Sequence, residues 1–161
     1  MKKEKDQDIS ETLLEIIKTK DDARELLLQI EDALNELYKH KKDGLSVIED
    51  VFPYEKKEKM LALLAAQKVD VKNSIQVTEF FNQLQKTIQA IPVVSLTLAF
   101  EPKFSFIKKM SSWLVVRLKK TVLLDITVDR LLIGGAIVSS GGRYKDYSLK
   151  KILGEKLGYS L

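Results

Sequence analysis

The first ninety residues carry apolar side chains at helical spacing between short breaks. The clearest stripe has apolar residues at intervals of three and four positions: Leu27, Ile30, Leu34 and Leu37. We expect Thr19, with an acidic residue three positions on, to cap the start of this helix, and Gly44 to end it. A capping box of Ser46 and Glu49 then predicts a short helix that closes near Pro53.

Helical periodicity also covers residues 9–17, 55–68 and 75–90. The last of these segments places five apolar residues on one side: Val77, Phe80, Phe81, Leu84 and Ile88. Pro92 prevents its continuation, because proline has no backbone N–H and its ring clashes with the preceding turn. These stripes favour an antiparallel helical bundle; the alternative is that one stripe stays open for a partner helix.

After Pro92 the pattern changes from helical to strand periodicity. Residues 93–100 and 122–128 are β-branched or alternating, which predicts two strands on either side of a basic amphipathic helix over residues 103–120. A strand, helix and strand of this length favour parallel strands joined by a right-handed crossover. We predict that the helix buries one broad face made of Phe106, Ile107, Met110, Trp113, Leu114 and Leu118. On this interpretation Trp113 and Met110 are core residues and do not stack on a ligand.

A third strand is predicted over residues 136–139, and the pair Gly141-Gly142 indicates a tight hairpin turn that needs positive backbone angles. The chain returns toward Tyr147, and Ser148 can cap a final helix with apolar residues Leu149, Ile152, Leu153 and Leu157. The predicted fold class is therefore α+β. It has a helical bundle over residues 1–90, followed by a small mixed sheet with a crossover helix and a C-terminal helix over residues 91–161.

Charge is unevenly divided along the chain, whose formal net charge is +4. Residues 1–90 hold 15 Lys and Arg against 18 Asp and Glu, net −3, and residues 91–161 hold 12 against 5, net +7. A basic half indicates an acidic partner, and nucleic acid is one alternative. The basic residues are scattered, however, without an arginine-rich run or an aromatic nucleic-acid motif. We therefore expect no nucleic-acid partner.

Membrane insertion is not expected, because the longest apolar stretches fall well short of the roughly 20 residues that a membrane helix needs. The basic helix over residues 103–120 has the alternative of lying on an anionic membrane surface, since its lysines flank an apolar face. We favour a buried face, because the strands on both sides supply a sheet to cover.

Candidate chemistry is sparse. His40 is the sole histidine and there is no cysteine, so a usual zinc site cannot be built. Asp125 and Asp129 are about 13 Å apart along a strand, too far for an acid and base pair. The pair Gly134-Gly135 does not fit either phosphate-binding glycine pattern. We expect no catalytic residues, no cofactor and no metal, so the chain is not expected to be an enzyme.

One run remains unexplained by chemistry, Val128-Asp129-Arg130-Leu131-Leu132-Ile133-Gly134-Gly135. Together with the later Asp146-Tyr147-Ser148, it gives the segment from Pro92 to Leu153 a specific pattern. This segment resembles the C-terminal region of the delta subunit of F-type ATP synthase, known in mitochondria as the oligomycin-sensitivity-conferring protein. The resemblance marks seven positions as a structural signature: Asp129, Leu132, Ile133, Gly134, Gly135, Asp146 and Ser148.

The resemblance implies a non-catalytic subunit of the peripheral stalk that supports proton-driven ATP synthesis. It implies that residues 91–161 bind the stator b subunits, and that residues 1–90 bind the alpha subunits of the catalytic head. It also implies a peripheral location at the cytoplasmic face of the bacterial plasma membrane. The chain departs from the family at Arg130, where proline is frequent, and in a shortened or divergent N-terminal bundle. The alternative function is a free-standing basic adaptor or nucleic-acid-binding domain.

Overall fold

The structure is a computed structural model that describes residue 9, residues 12–40 and residues 42–157, apart from the side chains of His40 and Leu157. The described chain divides into two compact units. The first unit contains the chain up to Ile17 and then Asp21–Ile91. The second contains Lys18–Lys20 and the chain from Pro92 onward. The fold class is α+β, with helices first and a mixed sheet with helices second, as predicted.

The first unit is built from helices. Within the described residues, α1 covers residues 12–16, and the later helices are α2 (Lys20–His40), α3 (Gly44–Val51), α4 (Tyr54–Ala66) and α5 (Ser74–Ala90). All five apolar residues of the predicted α5 stripe are buried. Phe81 is fully enclosed, with its ring centroid 6.0 Å from Phe52 and 5.9 Å from Phe80. These aromatic contacts lie in a core supplied by α3 and α5 together.

The buried stripe of α2 differs from the prediction by about one residue. Ala23, Leu26, Ile30, Ala33 and Leu37 are buried, whereas Leu27 and Leu34 are half-buried at the border of the stripe. The prediction was wrong here because it passed over two alanines, which can lie in a core where helices approach closely. The starting point after Thr19 agrees with the structure, since α2 begins at Lys20.

The predicted boundary between α2 and α3 was wrong in two respects. Gly44 does not end α2: it is the first residue of α3 and is buried, with no room for a side chain, since a Cβ there would lie 2.7 Å from both the Val71 carbonyl oxygen and a Val77 methyl group. The cap is not a box of Ser46 and Glu49. It is Asp43, whose carboxylate accepts a hydrogen bond from the Ser46 N–H at 2.9 Å. The residue that marks the start of α3 in the sequence is therefore Asp43, which immediately precedes Gly44.

The second unit has a four-stranded sheet in the order β2-β1-β3-β4. Its strands are β1 (Val93–Leu98), β2 (Leu123–Val128), β3 (Ala136–Ser140) and β4 (Arg143–Asp146), and its helices are α6 (Phe104–Leu118) and α7 (Leu149–Leu157). β1 and β2 are parallel, as predicted for strands joined by a helix, and the other two pairs are antiparallel. Gly141 and Gly142 have φ of +55° and +76°, which confirms the hairpin turn between β3 and β4.

The core of the second unit lies between the sheet and α6. It consists of Val94, Leu96, Leu114, Val122 and Leu124, with Ile107, Met110, Ile126 and Val138 packed against it. Met110 is therefore a core residue, as predicted. Trp113 is not: 59% of its surface is exposed, and Leu118 is also exposed, so the buried face of α6 is narrower than the predicted one.

A strap made of Lys18, Thr19 and Lys20 lies along the outer edge of β2. Thr19 forms a parallel bridge with Leu124, whose N–H donates to the Lys18 carbonyl oxygen at 2.9 Å. The Lys20 ammonium donates to the Asp125 carboxylate at 2.9 Å. This ion pair is largely exposed, so its contribution to stability is small. The strap satisfies backbone groups that an edge strand would otherwise leave open.

Candidate functional site

The signature residues begin with Asp129, which directly follows β2. Its N–H donates to the Leu98 carbonyl oxygen at 2.8 Å, and its carboxylate accepts from the Leu131 N–H at 2.9 Å. The second bond caps a short 3-10 turn over Arg130–Leu132. Arg130, where the family often has proline, is the first residue of this turn, so the departure leaves the cap intact. Leu132 points inward and is buried.

Gly134 and Gly135 allow a later part of the chain to approach very closely. A Cβ on Gly135 would lie 2.3 Å from the Tyr147 carbonyl oxygen, and the residue has φ of +81°. A Cβ on Gly134 would lie 2.6 Å from a Leu149 methyl group. The Leu149 N–H donates to the Gly134 carbonyl oxygen at 2.9 Å. Close backbone packing and a positive φ therefore require glycine at position 135, whereas Gly134 makes room for the Leu149 side chain.

Asp146 and Ser148 form the other side of this contact. The Asp146 carboxylate accepts from the Ser148 N–H at 2.8 Å, and the buried Ser148 hydroxyl accepts from the Lys151 N–H at 3.2 Å at the start of α7. The hydrogen bond from the Ser148 backbone, helped by its side chain and by the positive charge of Lys151, lowers the pKa of Asp146 below its ordinary value. The predicted cap at Ser148 is confirmed.

The contacts of Gly134 and Gly135 with residues 147–149 form one intramolecular clasp, which joins the turn after β2 to the start of α7. Asp129 and Asp146 accept backbone N–H groups in the turns on its two sides. Ile133, at φ of +66°, is exposed and turns away from the core. The arrangement stabilises a chain path and offers no acid and base pair.

Beside the clasp, α7 carries its apolar side chains on the outside. Leu149, Ile152 and Leu153 recur at helical spacing and are 45%, 40% and 37% exposed. Leu131 and Ile133, on the turn that the clasp joins to α7, are also exposed. An amphipathic helix whose apolar stripe remains exposed is typical of a surface that binds a partner. We call Leu149, Ile152 and Leu153 the α7 stripe.

A second exposed surface lies on α6, opposite its buried side. Trp113 and Val116 are 59% and 77% exposed. Phe106, seven residues or about two turns before Trp113, lies on the same side of the helix and is half-buried. The Phe100 ring packs edge-on against Phe106, with centroids 5.3 Å apart. We call these four residues the Trp113 face. The sequence prediction missed it because an apolar arc wider than one buried stripe was assigned wholly to the core.

The remaining candidate residues do not assemble into a site. Asp125 pairs with Lys20 and Asp129 caps the turn, so the two carboxylates have separate structural partners. Across the described residues, no three His, Cys, Asp or Glu side chains gather as metal ligands. The side chain of His40 lies outside the described part of the structure.

The first unit contains a groove of about 470 Å³. It is lined by Ile9, by the loop after α4 and by α5, through apolar residues such as Val69, Phe80 and Leu84 and amides such as Gln76 and Gln83. Its mixed lining is suited to an amphipathic segment of another protein.

The fold and the site together define an α+β protein. Its signature residues make contacts mainly within the chain itself, and many of the large apolar side chains of its second unit are exposed. The family model of the ATP synthase delta (OSCP) subunit matches residues 2–158. The chain therefore belongs to this family, and the resemblance drawn from residues 92–153 is confirmed and extends through the helical half. A comparison with individual curated proteins gives no significant match.

Membership of this family makes the chain a peripheral-stalk subunit of F-type ATP synthase, a structural role in a family that is generally non-catalytic. It associates peripherally with the subunits of that complex. None of the helices described is both long and apolar enough to cross a membrane.

Proposed function

We propose that this chain is a non-catalytic connector that links the alpha subunits of the catalytic head, through residues 1–90, to the b subunits of the stator, through residues 91–161. The observation that carries this proposal is the contrast between the residues of the clasp, which make internal contacts, and the α7 stripe beside them, which is exposed. The signature residues are used in internal hydrogen bonds and close packing, and the apolar stripe of α7 beside them is left exposed. Such a surface supports binding and supplies no chemistry.

The connector has to resist the torque that rotation of the central stalk exerts on the head. Apolar side chains give a joint of this kind most of its affinity, and charges set its orientation and association rate. The second half has a net charge of +7, which favours acidic partner helices. We place the complex at the cytoplasmic face of the bacterial plasma membrane.

The proposed contact with the alpha subunits uses the groove of the first unit. An N-terminal segment of alpha sets apolar side chains against Val69 and hydrogen-bonds to Gln83, which are the accessible parts of the groove's lining.

Co-purification tests the proposal. A tagged chain, extracted with the complex under mild conditions, should enrich both alpha and b subunits. Ile152→Ser removes a branched apolar side chain from the α7 stripe and should reduce recovery of b without reducing recovery of alpha. Leu28→Ser is the matched control, because Leu28 is 57% exposed on α2 and belongs to neither surface. Recovery of neither subunit with the unaltered chain would contradict the proposal.

A further inference from the structure

The single tryptophan of the chain, which the sequence predicted to lie in the core, is mostly exposed. Trp113 and Val116 point away from the sheet, while Met110, Ser111 and Leu114 point toward it. Since α6 already has a complete buried side, its outward apolar residues contribute nothing to the core of the unit. Exposed tryptophan is unfavourable in water and is enriched among residues that dominate binding energy at protein interfaces.

Positive charge predominates in the sequence around this surface. Residues 102–124 contain six Lys and Arg and no Asp or Glu. With about 100° of rotation per residue, Lys109 and Arg117 each lie within about 40° of Trp113 around the helix axis. Phe106, Trp113 and Val116 span about 15 Å along the helix, which is close to three turns of a partner helix.

From this combination of an aromatic stripe and flanking cations we infer that the Trp113 face receives an acidic amphipathic helix, presented by a b subunit. The apolar side of that helix packs on Phe106, Trp113 and Val116, and its carboxylates meet Lys109 and Arg117. This inference rests on the proposed function, and it names a binding surface separate from the α7 stripe.

A helical occupant fits this surface better than a lipid bilayer does. A helix that lies in a membrane interface buries a wide apolar side. In α6 the sheet covers a narrow side made of Ser111 and Leu114, with Ile107 and Met110 packed beside it, and the outward stripe of Trp113 and Val116 is only one or two side chains across. Lys109 and Arg117, one on either side of Trp113, instead match the carboxylates of an acidic amphipathic helix.

The chain contains one tryptophan, so its fluorescence reports this surface directly. The purified full chain is titrated with the b subunit of the same organism, in which any tryptophans are replaced by phenylalanine. Binding is measured in parallel by sedimentation. We expect the emission of Trp113 to shift to shorter wavelength in proportion to the bound fraction, because the indole ring moves from water into an apolar contact.

Variants locate the contact. Trp113→Ala with Val116→Ser should weaken binding of b at least tenfold, and Ser112→Ala should leave it unchanged. Lys109→Glu should weaken binding and reduce its dependence on salt. Lys108→Glu is the matched charge control, since Lys108 lies about 140° around the helix from Trp113 and outside the face.

The outcomes separate the inference from the function on which it rests. Sedimentation of a complex without an emission shift, or with sensitivity to Ile152→Ser and none to the Trp113 and Val116 pair, overturns the inference and leaves the connector role standing. No complex by either measurement overturns both. An emission shift with anionic phosphatidylglycerol vesicles or a single-stranded oligonucleotide, and none with b, overturns the inference in favour of a lipid or nucleic-acid surface.

Discussion

The two units differ in how completely they bury their apolar side chains. Among the described residues, the first unit buries twenty apolar side chains and exposes five large ones. The second unit buries eight apolar side chains and exposes twelve large ones. Exposed apolar surface on this scale lowers solubility unless a partner covers it. The second unit therefore leaves far more apolar surface for a partner to cover, whereas the first unit encloses most of its apolar side chains within its own helices.

The largest expected effect concerns the closed core. Phe81→Ala should lower the free energy of unfolding by about 3–5 kcal/mol, because it removes a fully buried ring and leaves a cavity in contact with Phe52 and Phe80. Urea denaturation followed by circular dichroism measures this loss. Tyr38→Ala, at an 88% exposed position on α2, is the control and should change little. A small loss for Phe81→Ala would show that this core is not closed.

The next effect concerns the clasp. Gly135→Ala should cost about 3 kcal/mol, because the new methyl group adds a clash with the Tyr147 carbonyl to the strain of a positive φ. Gly141→Ala is the matched control. Gly141 also has positive φ, but a Cβ there meets no heavy atom within 4 Å, so its cost should be about 1 kcal/mol. Equal losses in denaturant titrations would mean that the clasp does not constrain the second unit.

A smaller effect is expected for two aspartates, one in each unit, that accept backbone N–H groups near the start of a helix. Asp43 and Asp146 both accept backbone N–H groups, from Ser46 and Ser148, and this lowers both pKa values below 3.8. Their stabilisation is therefore complete above about pH 5 and is lost as the pH falls through the unfolded-state pKa and then through each folded-state pKa. Hydrogen exchange at α3 and at α7 between pH 5 and 2.5 measures the two losses separately. Asp43→Asn should flatten the pH dependence at α3 alone, and Asp146→Asn at α7 alone.

The smallest expected effect on stability is also the sharpest test of the comparison. Trp113→Ala removes the same class of side chain as Phe81→Ala, yet it should change the free energy of unfolding by less than about 0.5 kcal/mol, because the ring is mostly exposed. Urea denaturation followed by circular dichroism measures this change as well. A loss comparable with that of Phe81→Ala would place Trp113 in the core of the second unit and remove the contrast.

Much of the fold could be predicted from sequence because strong local signals agreed with the tertiary structure. Pro92 separated helical from strand periodicity, Gly141-Gly142 marked the hairpin, and Ser148 marked the start of α7. The seven signature positions were found through a family resemblance. The clasp could not be predicted, because it depends on a close approach between residues 134–135 and 147–149 that no local pattern encodes.

The two errors in assigning buried helix faces share a physical cause. Periodicity shows that a side chain is apolar on a given side of a helix, but it does not show how much of that side the neighbouring elements cover. For α6 the covered arc was overestimated, and Trp113 was placed in the core. For α2 the stripe was shifted, because the alanines Ala23 and Ala33 carry little weight in a pattern of large residues and yet lie in the core.

The strap along β2 makes the second unit discontinuous in sequence. Lys20 and Asp125 are 105 residues apart, so the edge of β2 is closed after nearly the whole intervening chain has been synthesised. Closing so long a loop is slow and entropically unfavourable, and until then the strand edge is available to other chains. A fragment that begins at residue 92 would keep every strand of the sheet and lose the strap. It should therefore self-associate through β2, and a fragment study of stator binding needs residues 18–20 supplied in the same chain or as a peptide.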